Sequence, residues 1–266
     1  MSAGIGAELD HLAVAAETWD ELWPRYRGDL GGDWVAGGPS LGFASAQLRY
    51  ANGMKIEVLA PQNWERNDFL RRFLDRRGPG PHHMTFKVPA IEKALEASEA
   101  AGYRPVGVDL SDPGWKEAFL HPKDAPGVVI QLAQSAGEWD SPSPVNLPAA
   151  RVEASEFLYV GHAVTRFDDG VRLFAGLLNG EERTRGHDDL LDADWIEYFW
   201  SAGGVVRVFA MPAWLGGDVG RLHHAAFATR EPEAMRDAKP TGDGRYEVAP
   251  EANLGTRLMV SASVAL

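Results

Sequence analysis

One order of segments repeats along this chain, and that repetition constrains the fold more than any single motif does. An apolar run, LDHLAVA, precedes a stretch with helical spacing, ETWDELWPRYRGDLGG. Two alternating runs follow it, separated by Asn52 and Gly53, and this pattern predicts a β-hairpin. The order then recurs, with HHMTFKV as a strand, PAIEKALEASEAAGY as a helix, and EAFLHP and GVVIQLAQ as strands. The first half is therefore two successive units of strand, helix and strands.

The second half begins the same order again. FLYVGHAVTRF predicts a strand, DDGVRLFAGLLNG a helix, and WIEYFWS and GVVRVFAMP two further strands, while LHHAAFA and GTRLMVSAS complete the pattern. Between the halves, the composition shifts to Pro, Ser and Ala, which is typical of a linker. We therefore predict one domain at 1–134, a linker at 135–155 and a second domain at 156–266.

Composition excludes several classes of function. The 38 acidic residues outnumber the 26 Lys and Arg residues, and the resulting charge of −12 argues against binding to a nucleic-acid backbone. The chain has no cysteine, which excludes disulfides, thiolate metal ligands and a cysteine nucleophile. No apolar run approaches the roughly 20 residues that span a bilayer, and the first residues do not resemble a secretory signal. We expect a soluble, cytoplasmic protein, a monomer or homodimer, with neither nucleic acid nor membrane as a partner.

The repeats also place polar residues at matching strand positions. His11 and His83 each accompany the first strand of a unit, and Glu57 and Gln131 each lie in the middle of a unit's last strand. A polar side chain among apolar strand neighbours is costly unless it has a partner. Two imidazoles, one carboxylate and one amide on equivalent strands would form a mixed nitrogen and oxygen site for a divalent metal. The alternative is a structural carboxylate at Glu57, paired with Lys55 or Lys87.

The segments LDHLAVA, KIEVLAP, FLRRFLDRRGPGPHHMTFKV and FLHPKDAPGVVIQLAQ resemble the vicinal oxygen chelate superfamily. Within it, the first half is most similar to methylmalonyl-CoA epimerases. The resemblance implies an α+β fold of tandem domains, each with two βαβββ units that form a cupped mixed sheet. It implies a divalent metal (Zn, Ni, Co, Mn or Fe) bound by His11, Glu57, His83 and Gln131, with His82 facing away.

The pattern departs from the family at the residues that carry chemistry. The epimerases place an amide on the fourth strand and a carboxylate on the eighth, whereas this chain has Glu57 and Gln131, the reverse. Glu57 is the only carboxylate of the set, which makes it the candidate catalytic base. Since an amide offers a metal only a dipole, Gln131→Glu is expected to tighten metal binding.

In the second half, His162 and His224 are expected at the histidine positions, Arg207 at that of Glu57 and Met259 at that of Gln131. A guanidinium repels a cation, so no metal is expected there, and Arg207 could instead hold an anion.

Two functions fit these features. The first is a metal-dependent isomerase, epimerase or lyase acting on a small carbonyl or acyl-thioester substrate. The second is a protein of the same fold that binds or sequesters a small molecule without converting it. The two histidines favour the enzyme, and the absence of a carboxylate at Gln131 favours the binding protein.

Overall fold

The computed structural model describes residues 4–137 and 140–263, which form two mixed sheets of eight strands each. The first sheet has the order β2-β3-β4-β1-β5-β8-β7-β6. Its strands are β1 (Glu8–Ala15), β2 (Asp33–Pro39), β3 (Phe43–Arg49), β4 (Lys55–Pro61), β5 (Gly80–Lys87), β6 (Pro105–Asp112), β7 (Trp115–Leu120) and β8 (Val129–Ser135). The central four strands, β4, β1, β5 and β8, thus come from both units of the first half.

The second sheet repeats this topology, in the order β10-β11-β12-β9-β13-β16-β15-β14. Its strands are β9 (Glu156–Val164), β10 (Glu181–Asp188), β11 (Ala193–Phe199), β12 (Val205–Ala210), β13 (Gly220–Thr229), β14 (Lys239–Pro240), β15 (Tyr246–Val248) and β16 (Leu258–Ala262). The two identical strand orders confirm the α+β fold of tandem repeats that the sequence predicts.

Short helices connect the strands. They are α1 (Trp19–Trp23), α2 (Phe69–Arg77), α3 (Ile91–Ala100), α4 (Phe167–Gly170) and α5 (Pro212–Leu215). π-Helical turns at Pro24–Asp29 and Val171–Leu177 extend α1 and α4. Proline lacks an N–H donor but fits the first position of a helical segment, which explains why Pro24 does not end this one. None of the helices in the described ranges is long and apolar enough to cross a lipid bilayer.

The sequence patterns did not indicate five strands, namely the edge strands β2, β6, β10 and β14 and the short β15. The strand β6 is mostly exposed, and β2 contains two adjacent glycines, so neither carries the apolar alternation of a half-buried strand. The strands β2, β6 and β10 each pair antiparallel with a predicted neighbour, and β15 pairs antiparallel with both β14 and β16. Outer strands of this kind therefore form because a partner strand is present.

The chain packs into two compact units, and neither coincides with one half of the sequence. Among the described residues, one unit combines 4–11, 83–137 and 159–223, and the other combines 12–82, 140–158 and 224–263. In the first unit, the ring of Phe86 lies 5.1 Å from that of Trp200. In the second, Phe157 stacks on Phe227 at 4.6 Å. The domain boundaries at 134 and 156 stay a prediction.

The proline-rich stretch between the halves binds to the first half at several points. The Trp34 indole donates to the Ser141 carbonyl (2.7 Å), and the backbone N–H of Ser155 donates to the Leu30 carbonyl (3.0 Å). The Arg151 guanidinium forms an ion pair with Asp29. The described part of this stretch, residues 140–155, is therefore held against its neighbours rather than being a free tether.

The stability of the protein should depend on pH through His162. This ring is fully buried and its Nε2 lies 2.8 Å from the Pro126 carbonyl, and burial lowers the pKa of His162 from 6.5 to about 4. Between these values the unfolded chain binds a proton that the folded protein does not. The contribution is complete above about pH 6.5 and is lost as pH falls towards 4, in total about 3 kcal/mol.

We expect His162→Gln, which keeps a donor for the Pro126 carbonyl, to flatten the rise of unfolding free energy from pH 4.5 to 6.5. Urea unfolding of both proteins across this range measures the effect. An unchanged pH slope in the variant would show that His162 does not titrate on unfolding.

Candidate metal centre

The four central strands of the first sheet each carry one of the predicted ligands. They are His11 on β1, Glu57 on β4, His83 on β5 and Gln131 on β8. All four side chains are at least nine-tenths buried. The donor atoms of the two histidines and of the glutamate lie within 4.8 Å of one another. Two imidazole nitrogens and a carboxylate at this spacing are a donor set that suits a borderline divalent cation.

A neighbouring carboxylate sets the orientation of His11. The Nδ1 atom of His11 lies 2.6 Å from Oδ2 of Asp10, and an ionised carboxylate only accepts hydrogen bonds. The ring proton therefore belongs on Nδ1, and the Nε2 lone pair is directed towards the other side chains of the site. Carboxylates hold metal-binding histidines in this way in many proteins. The residues present thus fit a metal by both donor type and orientation.

Gln131 joins the same group through its amide oxygen. Oε1 of Gln131 accepts a hydrogen bond from the Thr85 hydroxyl (2.6 Å) and lies 3.2 Å from Nε2 of His83. The Thr85 hydroxyl is also 2.8 Å from Nε2 of His11. On its other side, the Gln131 amide donates to Glu117 (2.7 Å).

His82 packs apart from its neighbour His83. Its ring contacts Phe73 at 4.6 Å and Phe69 at 5.8 Å, both on helix α2. Burial lowers the pKa of His82 to about 4, while the charge of Glu57 opposes this change. A ring that stays neutral among phenyl groups is a packing element. His82 therefore packs against helix α2 while His83 faces the cluster, as strand alternation predicts for adjacent residues.

Sequence reasoning missed Asp10, Thr85 and Glu117. Thr85 lies two residues after His83, on the same face of β5, so strand alternation could have indicated it. Asp10 is adjacent to His11, and alternation predicts opposite faces for such neighbours, so only their adjacency in the sequence could have pointed to it. Glu117 carried no such signal, because its position depends on how β7 pairs with β8.

The second sheet has different groups at the corresponding place. The Arg207 guanidinium donates to Glu197 (2.7 Å) and lies over the rings of Tyr159 (4.1 Å) and Trp195 (4.3 Å). Ala226 pairs with Met259 there, as Thr85 pairs with Gln131 in the first sheet. Within residues 4–137 and 140–263, the only cluster of histidines and acids with metal-binding spacing is that of the first sheet.

The expected position of His162 was wrong. Arg207 pairs with Gly161, whereas His162 pairs with Val208. Paired residues project to the same face and alternate residues to opposite faces, so His162 lies on the face opposite Arg207. Tyr159, two residues before Gly161, is the β9 side chain that contacts the guanidinium. Tyr159, three residues before His162, therefore takes the place that the sequence pattern assigned to the histidine.

Comparison with known proteins agrees with this fold. The glyoxalase-like domain family model matches residues 9–175. The ethylmalonyl-CoA/methylmalonyl-CoA epimerase of Cereibacter sphaeroides is 30% identical over 132 residues, which cover 47% of this chain and 96% of the epimerase.

Two solved structures are also similar. A mutant of 4-hydroxymandelate synthase from Streptomyces coelicolor superposes with a TM-score of 0.60 at 10% identity, over 98% of this chain and 94% of the synthase. Methylmalonyl-CoA epimerase from Mycobacterium tuberculosis gives a TM-score of 0.46 at 26% identity, over 52% of this chain and 93% of the epimerase. The chain belongs to the glyoxalase-like domain family of the vicinal oxygen chelate superfamily, and its first half resembles the epimerases.

Proposed function

We propose that the protein is a divalent-metal-dependent enzyme of the isomerase, epimerase or lyase type, acting on a small carbonyl or acyl-thioester substrate. The observation that carries the proposal is the buried cluster of His11, Glu57 and His83 on adjacent strands of a glyoxalase-like sheet. The similarity to an acyl-CoA epimerase supports the substrate class. The metal would be Zn, Ni, Co, Mn or Fe, since all five accept histidine and oxygen ligands.

The side chains divide the work in this proposal. The cation would be held by four ligands, His11, Glu57, His83 and Gln131. It would withdraw electron density from the carbonyl oxygen of a bound substrate. Asp10 keeps the proton of His11 on Nδ1. Glu57, the only carboxylate of the four, is the candidate to accept a proton from the substrate carbon.

The test begins with protein purified without chelator. We expect about one equivalent of a first-row divalent metal by elemental analysis, removable by a chelator and restored by dialysis against Zn²⁺ or Co²⁺. The restored protein is then incubated with acyl-CoA thioesters that carry an acidic α-proton, in deuterated water. Proton exchange that requires the metal supports the enzyme. Metal binding with tight thioester binding but no exchange supports the sequestering alternative, and failure to bind any of the five metals contradicts both the metal and the proposal.

Asp10→Asn should lower metal affinity about 10- to 100-fold, because the loss of a carboxylate behind a histidine ligand weakens that ligand. Competition against a chromophoric chelator measures the change. Asp68→Asn is the control, since Asp68 forms an exposed ion pair with Arg72 on α2. Equal affinities of the Asp10 and Asp68 variants would mean that Asp10 does not support a ligand.

A further inference from the structure

Hydrogen-bond direction determines how the Gln131 amide is turned. The Nε2 atom of Gln131 lies 2.7 Å from a carboxylate oxygen of Glu117. An ionised carboxylate can only accept, so the NH₂ group of Gln131 must face Glu117 and the amide oxygen must face His83. The Thr85 hydroxyl donates to that same amide oxygen. Both ends of the amide are therefore held in one orientation.

Glu117 is itself held in place. The indole N–H of Trp115, which can only donate, lies 2.8 Å from the same Glu117 oxygen that receives the Gln131 amide. The ring of Trp115 in turn lies 3.9 Å from the ammonium group of Lys87. All of these residues are on β5, β7 and β8, which are neighbouring strands of the first sheet. The arrangement is rigid enough to fix a side chain that has three rotatable bonds.

The small negative charge of the ligand set suggests what the hydrogen bond between Gln131 and Glu117 does. Two neutral imidazoles, one carboxylate and one amide carry a single negative charge, which only partly offsets a divalent cation. An amide whose NH₂ group donates to a carboxylate becomes more polarised, and its oxygen becomes a better electron donor. We propose that Glu117 is a positioning residue that orients the Gln131 amide oxygen towards the metal and polarises the amide. Its carboxylate, joined to the ligand by one hydrogen bond, supplies the negative charge that Gln131 itself lacks. This inference rests on the proposed metal site.

The second sheet lacks the corresponding pair. Met259 takes the place of Gln131 beside Ala226, and Glu247, which pairs with Met259 across β15 and β16, forms an ion pair with Arg257 instead. By register, Glu247 corresponds to Phe119, which is opposite Gln131, and not to Glu117, which is opposite Ala133. Glu247→Gln is therefore a control for the loss of a part-buried carboxylate in the second sheet, away from the metal cluster.

The pair also changes what should follow from Gln131→Glu. The sequence alone predicts tighter metal binding from the added charge. In the structure, the new carboxylate would lie against the carboxylate of Glu117, and like charges in contact are costly when desolvated. The gain is expected only when Glu117 is changed to glutamine at the same time, because the exchanged pair keeps one carboxylate and one amide.

The experiment measures Co²⁺ affinity by competition with a chelator, together with the visible spectrum of the bound ion, for the wild type and four variants. We expect Glu117→Gln to weaken binding about 10- to 100-fold, as loss of a supporting carboxylate does at other metal sites. Glu247→Gln should match the wild type. Gln131→Glu combined with Glu117→Gln should bind at least about tenfold more tightly than Glu117→Gln alone, and more tightly than Gln131→Glu alone.

Two results would overturn the inference. One is a Glu117→Gln affinity within about threefold of the wild type. The other is a double variant that binds no more tightly than Glu117→Gln alone. Tighter binding by the double variant would show that the weak binding of Glu117→Gln is not a simple folding defect. If the wild-type protein binds no Co²⁺, the proposed metal site fails, and this outcome is distinct from a normal wild-type affinity that Glu117 does not influence.

Discussion

His83→Ala should abolish metal binding, while His224→Ala should leave the metal content unchanged. His83 contributes one of three clustered donors in the first sheet, and removing a ligand should cost more than the 10- to 100-fold that loss of a supporting group costs. His224 occupies the matching place on β13 and is equally buried, but Arg207 stands in that sheet where Glu57 stands in the first. A guanidinium next to a divalent cation is repulsive.

Elemental analysis after dialysis against Zn²⁺ gives the comparison directly. The two substitutions remove the same side chain from equivalent strands, so each serves as the folding control of the other. Loss of metal from both variants would indicate a shared or second site. Retention of metal by the His83 variant would remove this histidine from the ligand set.

Phe227→Ala should lower the free energy of unfolding by about 3–5 kcal/mol, the usual cost of emptying a fully buried aromatic position. The Phe227 ring is completely buried, stacks on Phe157 at 4.6 Å and lies 5.0 Å from Tyr50. Tyr50 is on the hairpin of β3 and β4, and the two phenylalanines are on β13 and β9, so the cluster joins both halves of the sequence.

Urea unfolding measures this effect, with Val145→Ala as the control because Val145 is fully exposed. The Val145 variant should stay within about 0.5 kcal/mol of the wild type. A loss below about 1 kcal/mol in the Phe227 variant would mean that the cluster collapses around the cavity without cost.

Much of the architecture follows from the sequence. The alternation around Asn52 and Gly53 predicted the hairpin of β3 and β4, which pairs from Phe43 opposite Pro61 to Arg49 opposite Lys55. The helical spacing of PAIEKALEASEAAGY predicted α3. These signals are local, because strand and helix periods depend only on which neighbours of a residue are apolar. The repetition of the signals then predicted two similar sheets.

The tertiary structure decided the details of the candidate site. Whether His162 or Tyr159 faces Arg207 depends on the register between β9 and β12, and a shift of one residue reverses every side chain of a strand. Two adjacent histidines do not reveal that register. For the same reason, the sequence placed Gln131 at mid-strand and in a set with His11 and His83, but it did not indicate that the NH₂ group of Gln131 would contact Glu117.

Glu117 is the clearest example of a site residue that the sequence alone could not indicate. In the sequence it is one of 38 acidic residues, in a short run between Trp115 and Phe119 that has no motif. The antiparallel pairing of β7 with β8 places its carboxylate against the Gln131 amide. The sequence by itself determined which residues could act as ligands, because residue type fixes the donor atoms. Only the tertiary structure decided which donor atoms lie close together and which carboxylate is hydrogen-bonded to the Gln131 amide. The physical reason is that strand pairing brings together residues that are far apart along the chain.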